Sequence, residues 1–204
     1  MQRAVSPAPH EAVHPPTNTG EDNRKVLMWL FLASDVLFFG SLIATFVAYV
    51  QRVPHTPLHE VFNIPLTSWS AFVLLMSSVT MALAVWASHA GKMRLMRIYL
   101  LATVLLGVHF LANQGFEFYH FVHDGFTPRV NPVGSAFFTL TGFHGAHVTV
   151  GVLWLLALFL ASFRGGITQK NAIWVEVAGL YWHFVDVVWI VIFAVVYLIG
   201  AALY

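Results

Sequence analysis

The run Tyr181-Trp-His-Phe-Val-Asp-Val-Val-Trp189 sets His183 and Asp186 three residues apart inside an otherwise apolar stretch. An ionisable side chain at the centre of a membrane span costs about 2.5–3.5 kcal/mol on insertion scales, so such groups face a protein interior and carry a task or a partner. The chain holds several more. Asp35 is followed by Phe38, Phe39 and Leu42; His109 stands alone in an apolar run; His144 and His147 lie three apart; Glu117 precedes Phe-Tyr-His120; Glu176 lies seven residues before His183. Acids and histidines at membrane depth can relay protons. Histidines can also ligate metal or haem, although two on one helix, three residues apart, do not sandwich a single haem. Glu117-Phe-Tyr-His120 has the Glu-x-x-His form of di-iron bundles, which require two such motifs and two further glutamates. The remaining option is interhelical hydrogen bonding with no reaction at all. On the residues alone these stay open, and the reading they support is a five-helix membrane protein with a polar interior.

The elements that must position these groups follow from composition. Hydrophobic residues make up 58% of the 204 and charged residues only 9%, against roughly 25% charged in soluble domains. The chain has no cysteine, which excludes disulfides, iron–sulfur clusters, thiolate zinc sites and a cysteine nucleophile. Ten basic residues spread along the chain form no patch for nucleic acid. A span needs about 20 mostly apolar residues, and the sequence predicts five: Val26–Val50, Trp69–Ser88, Ile98–Phe121, Val133–Phe163 and Ala172–Leu203. The expected fold is therefore all-α and polytopic, a bundle of five transmembrane helices. Residues 1–25 are expected to be a flexible tail and 26–204 the transmembrane domain. The tail is polar, with Pro7, Pro9, Pro15 and Pro16, and lacks the hydrophobic segment of a secretory signal.

Charge sets the expected orientation. The tail and the second and fourth loops carry Arg24, Lys25, Lys92, Arg94, Arg97, Arg164 and Lys170, whereas the other side carries Arg52 and Arg129. Positive charge gathers on the cytoplasmic side, so the N-terminus is expected in the cytoplasm and the C-terminus outside. At 1.5 Å per residue, Asp35 lies about 13 Å into its span, and His109 and His183 each about 16 Å into theirs. With His144 and His147 they share one slab of the membrane. Gly40, Ala44 and Ala48 repeat every four residues, a spacing expected to serve a close helix contact inside the bundle.

Longer motifs carry a resemblance. Trp29-Leu-Phe-Leu-Ala-Ser-Asp-Val-Leu-Phe-Phe39, Gln114-Gly-Phe-Glu-Phe-Tyr119, Ser135-Ala-Phe-Phe-Thr-Leu-Thr-Gly-Phe-His-Gly-Ala-His-Val-Thr-Val-Gly151, and Glu176 followed by Tyr181–Trp189 stand in one order along the chain. Together they resemble subunit III of the haem–copper terminal oxidases, over nearly everything from residue 26 onward. With five spans rather than seven, the chain looks like the shorter bacterial version. Asp35 stands where glutamate is usual in the cytochrome c oxidases, a feature shared with bo-type quinol oxidases.

The resemblance implies a cofactor-free subunit of a complex that reduces oxygen to water and moves protons outward. It implies direct packing on oxidase subunit I, association with subunit II and possibly IV, and bound membrane phospholipid. Haem and copper are expected in the partner subunits, none in this chain, and the location is the bacterial plasma membrane. It further implies a role in proton uptake and lasting turnover. Asp35 is then the proton-related or lipid-cleft carboxylate, and Glu117, His144, His147, Glu176, His183 and Asp186 form an intramembrane polar network, with no catalytic residue and no metal ligand. A cytochrome c oxidase subunit III is the main reading. The same subunit of a bo-type quinol oxidase and a stand-alone proton-coupled transporter are the alternatives.

Overall fold

A computed structural model describes residues 20–53, 62–129 and 131–199. Five helices are long and apolar enough to cross a membrane. They are α1 (Asn23–Arg52), α2 (Ile64–His89), α3 (Met93–His123), α4 (Pro132–Phe163) and α5 (Ile173–Ile192), the last running on through a π-helical stretch, Phe193–Ile199. The described residues contain no strand. Most of the expected tail, residues 1–19, lies outside the described residues, as do 54–61 of the first loop and the end of the fifth expected span.

The starts of α1, α2 and α4 each have a side-chain cap. The Asp22 carboxylate accepts the Arg24 backbone N–H at 2.8 Å, and the side chains of Asn63 and Asn131 accept the backbone N–H groups of Leu66 and Gly134. These caps satisfy amides that the first turn leaves without carbonyl partners. Pro65 precedes the expected second span, yet it sits in the first turn of α2, where its missing N–H costs nothing. The loop expected at His89–Arg97 shrinks to three residues, Ala90, Gly91 and Lys92. Lys92 N–H reaches back to Ala87 C=O at 2.9 Å across Gly91, whose φ is +71°. That left-handed residue closes the end of α2 as glycine can without strain, so Arg94 and Arg97 become part of α3.

The α2–α3 hairpin and α4 surround α5 on one side, and α1 lies against α4 and α5 at the edge. Trp182 of α5 is the central tie. A Cβ at Gly107 of α3 would stand 2.7 Å from its ring, and one at Gly151 of α4 would stand 2.9 Å from it. Its Nε1–H donates to Ser77 Oγ of α2 at 2.9 Å. Small residues let helix backbones approach where lipid provides no hydrophobic drive, and a buried indole N–H needs an acceptor. One side chain thus joins four helices. Phe62, Phe121, Phe137 and Tyr197 close the end of the bundle away from the α2–α3 turn, with ring centroids 4.7–6.0 Å apart where they meet.

One expectation is overturned. Gly40, Ala44 and Ala48 are all exposed, and a Cβ at Gly40 would meet nothing within 4 Å. The inward stripe of α1 is instead Leu32, Asp35, Phe39, Phe46 and Val50. Bulky rings settle which face of α1 turns inward, and the small residues are left on the opposite side.

Candidate functional site: acid and histidine pairs within the membrane

Asp35 on α1 and His147 on α4 meet at the edge of the bundle, with Oδ2 and Nε2 3.5 Å apart. His147 Nδ1 lies 2.8 Å from the carbonyl oxygen of Phe143. A carbonyl only accepts, so Nδ1 must carry a hydrogen. Nε2 is therefore the atom that can gain or lose a proton, and it points at the carboxyl. The pair can hold one proton in two ways, as carboxylic acid beside neutral imidazole or as carboxylate beside imidazolium. Tyr181 on α5 donates its hydroxyl to the His147 backbone carbonyl at 3.0 Å, which fixes this turn of α4. Phe39 packs edge-on against the imidazole, centroids 5.1 Å apart.

The pair borders an apolar cleft of about 570 Å³ lined by Met28, Phe31, Phe143, Val150, Trp154 and Tyr181, with His147 in its wall. A second groove, about 400 Å³, runs along the other flank of α1 between Trp29, Leu32, Val36, Leu180, Phe184 and Val187. His183 lines that groove, and its Nδ1 lies 3.1 Å from Ser78 Oγ on α2. Asp186, one turn further along α5, hydrogen-bonds to the same hydroxyl. A serine hydroxyl has one hydrogen and can also accept. The three groups can therefore form a directed chain in which His183 Nδ1–H donates to Ser78 and Ser78 donates to Asp186.

At the end bearing the α2–α3 turn, Glu176 uses both oxygens. Oε1 meets Lys25 Nζ of α1 at 2.6 Å and Oε2 meets His89 Nε2 of α2 at 3.2 Å. Beside it the Arg24 guanidinium lies 4.5 Å over the Trp174 ring. On the far side of the same end, Arg97 donates to the Ser162 hydroxyl at 3.1 Å and to its carbonyl at 2.6 Å. These contacts brace the helix ends. Their groups have all found partners, unlike the loosely held pair at Asp35.

Similarity to known proteins places this geometry in a family. The family described as Cytochrome c oxidase subunit III matches residues 14–201. The chain belongs to that family. It is 39% identical over 179 residues to a cytochrome c oxidase subunit 3 of Bacillus sp. (strain PS3), covering 87% of this chain and 86% of that protein. It is 40% identical over 180 residues to the cytochrome c oxidase subunit 3 of Bacillus subtilis (strain 168), covering 87% of each. A protein named probable quinol oxidase subunit 3 from Staphylococcus saprophyticus is 38% identical over 178 residues, 86% of this chain and 89% of that protein. This subunit III is therefore part of an oxidase complex and a multi-pass protein of the bacterial plasma membrane.

As a subunit III, the molecule divides its expected polar network into separate places. Asp35 with His147, His183 with Asp186, and Glu176 with Lys25 and His89 are three of them. Glu117 is a fourth, buried at the end opposite the α2–α3 turn, where the Thr67 hydroxyl of α2 donates to it. It faces an opening of about 550 Å³ lined also by Asn63, His120 and Asp124. His144 joins none of these. It is fully buried, with neither ring nitrogen hydrogen-bonded. It stacks on Trp189, centroids 4.9 Å apart and planes 24° apart, with Phe110 edge-on. Among the described residues no three His, Cys, Asp or Glu side chains converge as a metal-ligand set. Lys25, Thr67, Ser78 and His89 take part in these places without standing out as site residues in the sequence. Ser77-Ser78 inside an apolar span was the available signal, since hydroxyls at that depth bond either to their own helix or across to a neighbour.

Proposed function

We propose that this subunit III is a cofactor-free, non-catalytic member of a cytochrome c oxidase that packs directly on subunit I. In that complex it sustains oxygen reduction by holding a proton at Asp35–His147 beside bound phospholipid. The observation that carries this reading is the pair itself. It joins the one acid of α1's inward face to an imidazole whose other nitrogen is committed to Phe143. The proton moves between Oδ2 and Nε2, and no other bond needs to change. Two grooves flanking α1 are apolar and open, which suits phospholipid acyl chains. Through His147, which lines the first groove, the pair can exchange its proton with the membrane surface or with the neighbouring subunit.

The test is Asp35→Asn in the assembled oxidase. The amide keeps the shape and loses the exchangeable acid. The expected outcome is normal assembly and haem content, with slower proton uptake or a shorter active lifetime under continuous turnover. Unchanged uptake, pumping and lifetime would reduce Asp35 to a structural group. The proposed orientation places the Lys25–Glu176–His89 brace in the cytoplasm. Because the chain has no native cysteine, Lys170→Cys should resist an impermeant thiol reagent in intact cells while Asp124→Cys reacts. Cytochrome c is the electron donor proposed for the complex. Turnover by the purified enzyme with quinol but not cytochrome c would favour the bo-type assembly instead.

A further inference from the structure

His109 lies on the outer surface of the α2–α3 hairpin, apart from every site described above. Trp69 Nε1–H points to His109 Nε2 at 3.3 Å, and Asn113 Nδ2 lies 3.2 Å from the same nitrogen. An indole nitrogen can only donate, so Nε2 must be the acceptor and Nδ1 must carry the hydrogen. Asn113 places its other amide hydrogen on Ser70 Oγ at 3.1 Å. Among the described residues His109 Nδ1–H and Asn113 Oδ1 have no partner. The network thus fixes a tautomer with a free donor, and leaves an acceptor one turn away.

Depth makes this arrangement informative. His109 is twelve residues beyond Arg97 and fourteen before His123 on one continuous helix, about 18 Å and 21 Å along its axis. It is therefore near the middle of the membrane, out of reach of headgroups, and it is exposed. The bilayer core offers no water to satisfy a free N–H. Ionisable groups at this depth face protein or a water-filled cavity. Around His109 the surface is apolar, with Leu105, Val108 and Phe116 exposed. On the same stripe Ala112 and Gly115 are exposed, and a Cβ at Gly115 would meet nothing within 4 Å. Small residues beside a polar group are what a closely packed neighbouring helix needs.

We propose that this α2–α3 face, centred on His109, is where a transmembrane helix of subunit I packs, presenting an acceptor to His109 Nδ1–H. The proposal rests on the reading that the chain packs on subunit I, and it adds which face does so and through which atom. The test uses the intact oxidase in native membranes. A photoreactive benzoylphenylalanine replaces Ala112 in one strain, and Val150 on the exposed face of α4 in another. The expected result is a dominant crosslink from position 112 to subunit I and none from 150. Crosslinking from 112 to lipid only, or to a second copy of this chain, overturns the proposal, as does a subunit I crosslink from 150 alone. If the unmodified tagged chain fails to copurify with subunit I, the packing reading itself falls, which a wrong face would not cause. A second measurement reads the bond. Interhelical hydrogen bonds of this kind suggest that His109→Leu lowers subunit III retention in stringent detergent about threefold to tenfold. His109→Gln, which keeps a donor, should recover part of the loss. Equal retention in His109→Leu and the parent would show that no partner accepts from Nδ1.

Discussion

Two helices of this molecule have nearly the same hydropathy and opposite situations. The span through α5 is half buried within the bundle, whereas that of α1 is 11% buried. α5 carries Trp182 between two glycines, Asp186 on a serine, and Glu176 on Lys25 and His89. α1 carries one buried acid, two open grooves along its flanks, and a row of small residues facing outward. Hydropathy says only that a segment can enter the membrane. What separates a core helix from an edge helix is how much of its surface finds protein. On the reading proposed above, the exchangeable proton belongs to this edge helix, where Asp35's partner His147 opens on a groove.

Added bulk at one glycine of each region tests this contrast most severely. Gly107→Val drives methyl groups into Trp182 and Val152, because a Cβ at residue 107 would already stand 2.7 Å and 2.8 Å from those side chains. Overpacking of this kind costs about 1–3 kcal/mol. The expected outcome is a clear fall in the thermal midpoint of the purified complex or failure to accumulate. Gly40→Val has open space and should change the stability of this chain by less than about 0.5 kcal/mol. Equal destabilisation by the two would mean that α1 is as tightly enclosed as α5.

Trp182→Phe keeps an aromatic ring between the glycines and deletes the donor to Ser77. Hydrogen bonds between membrane helices suggest a loss of about 0.6–1.7 kcal/mol, measurable by unfolding in mixed micelles. Lys25→Met tests the brace between the two helices. The pair with Glu176 is partly exposed, about a quarter on each side chain, and solvent screening limits it to about 0.2–1 kcal/mol. Its loss should shrink further in high salt, whereas that of Trp182→Phe should not. Asp35→Asn is expected to cost less stability than Trp182→Phe, because its contact with His147 is long at 3.5 Å. A large loss of stability in that variant would show that Asp35 is a structural member of the core.

The five spans are legible in the sequence, because each reflects a local excess of apolar residues and each helix satisfies its own backbone. So is the family, through motifs read in order. Helix ends are less legible. Pro65 and the cations of α3 look like loop residues until caps and the Gly91 turn are seen to extend the helices past the apolar runs. Which polar groups meet is settled by tertiary packing alone. Asp35, His109, His144, His147 and His183 share a depth, yet they fall in four different surroundings. His147 faces Asp35, His183 faces Ser78, His144 lies among rings, and His109 looks outward. Depth is one coordinate; rotation about each helix and the order of neighbours are the others. On helices apolar nearly all round, those coordinates are set by where rings such as Phe39 and Trp182 find matching small residues on other helices, and such matches arise only between segments far apart in the chain.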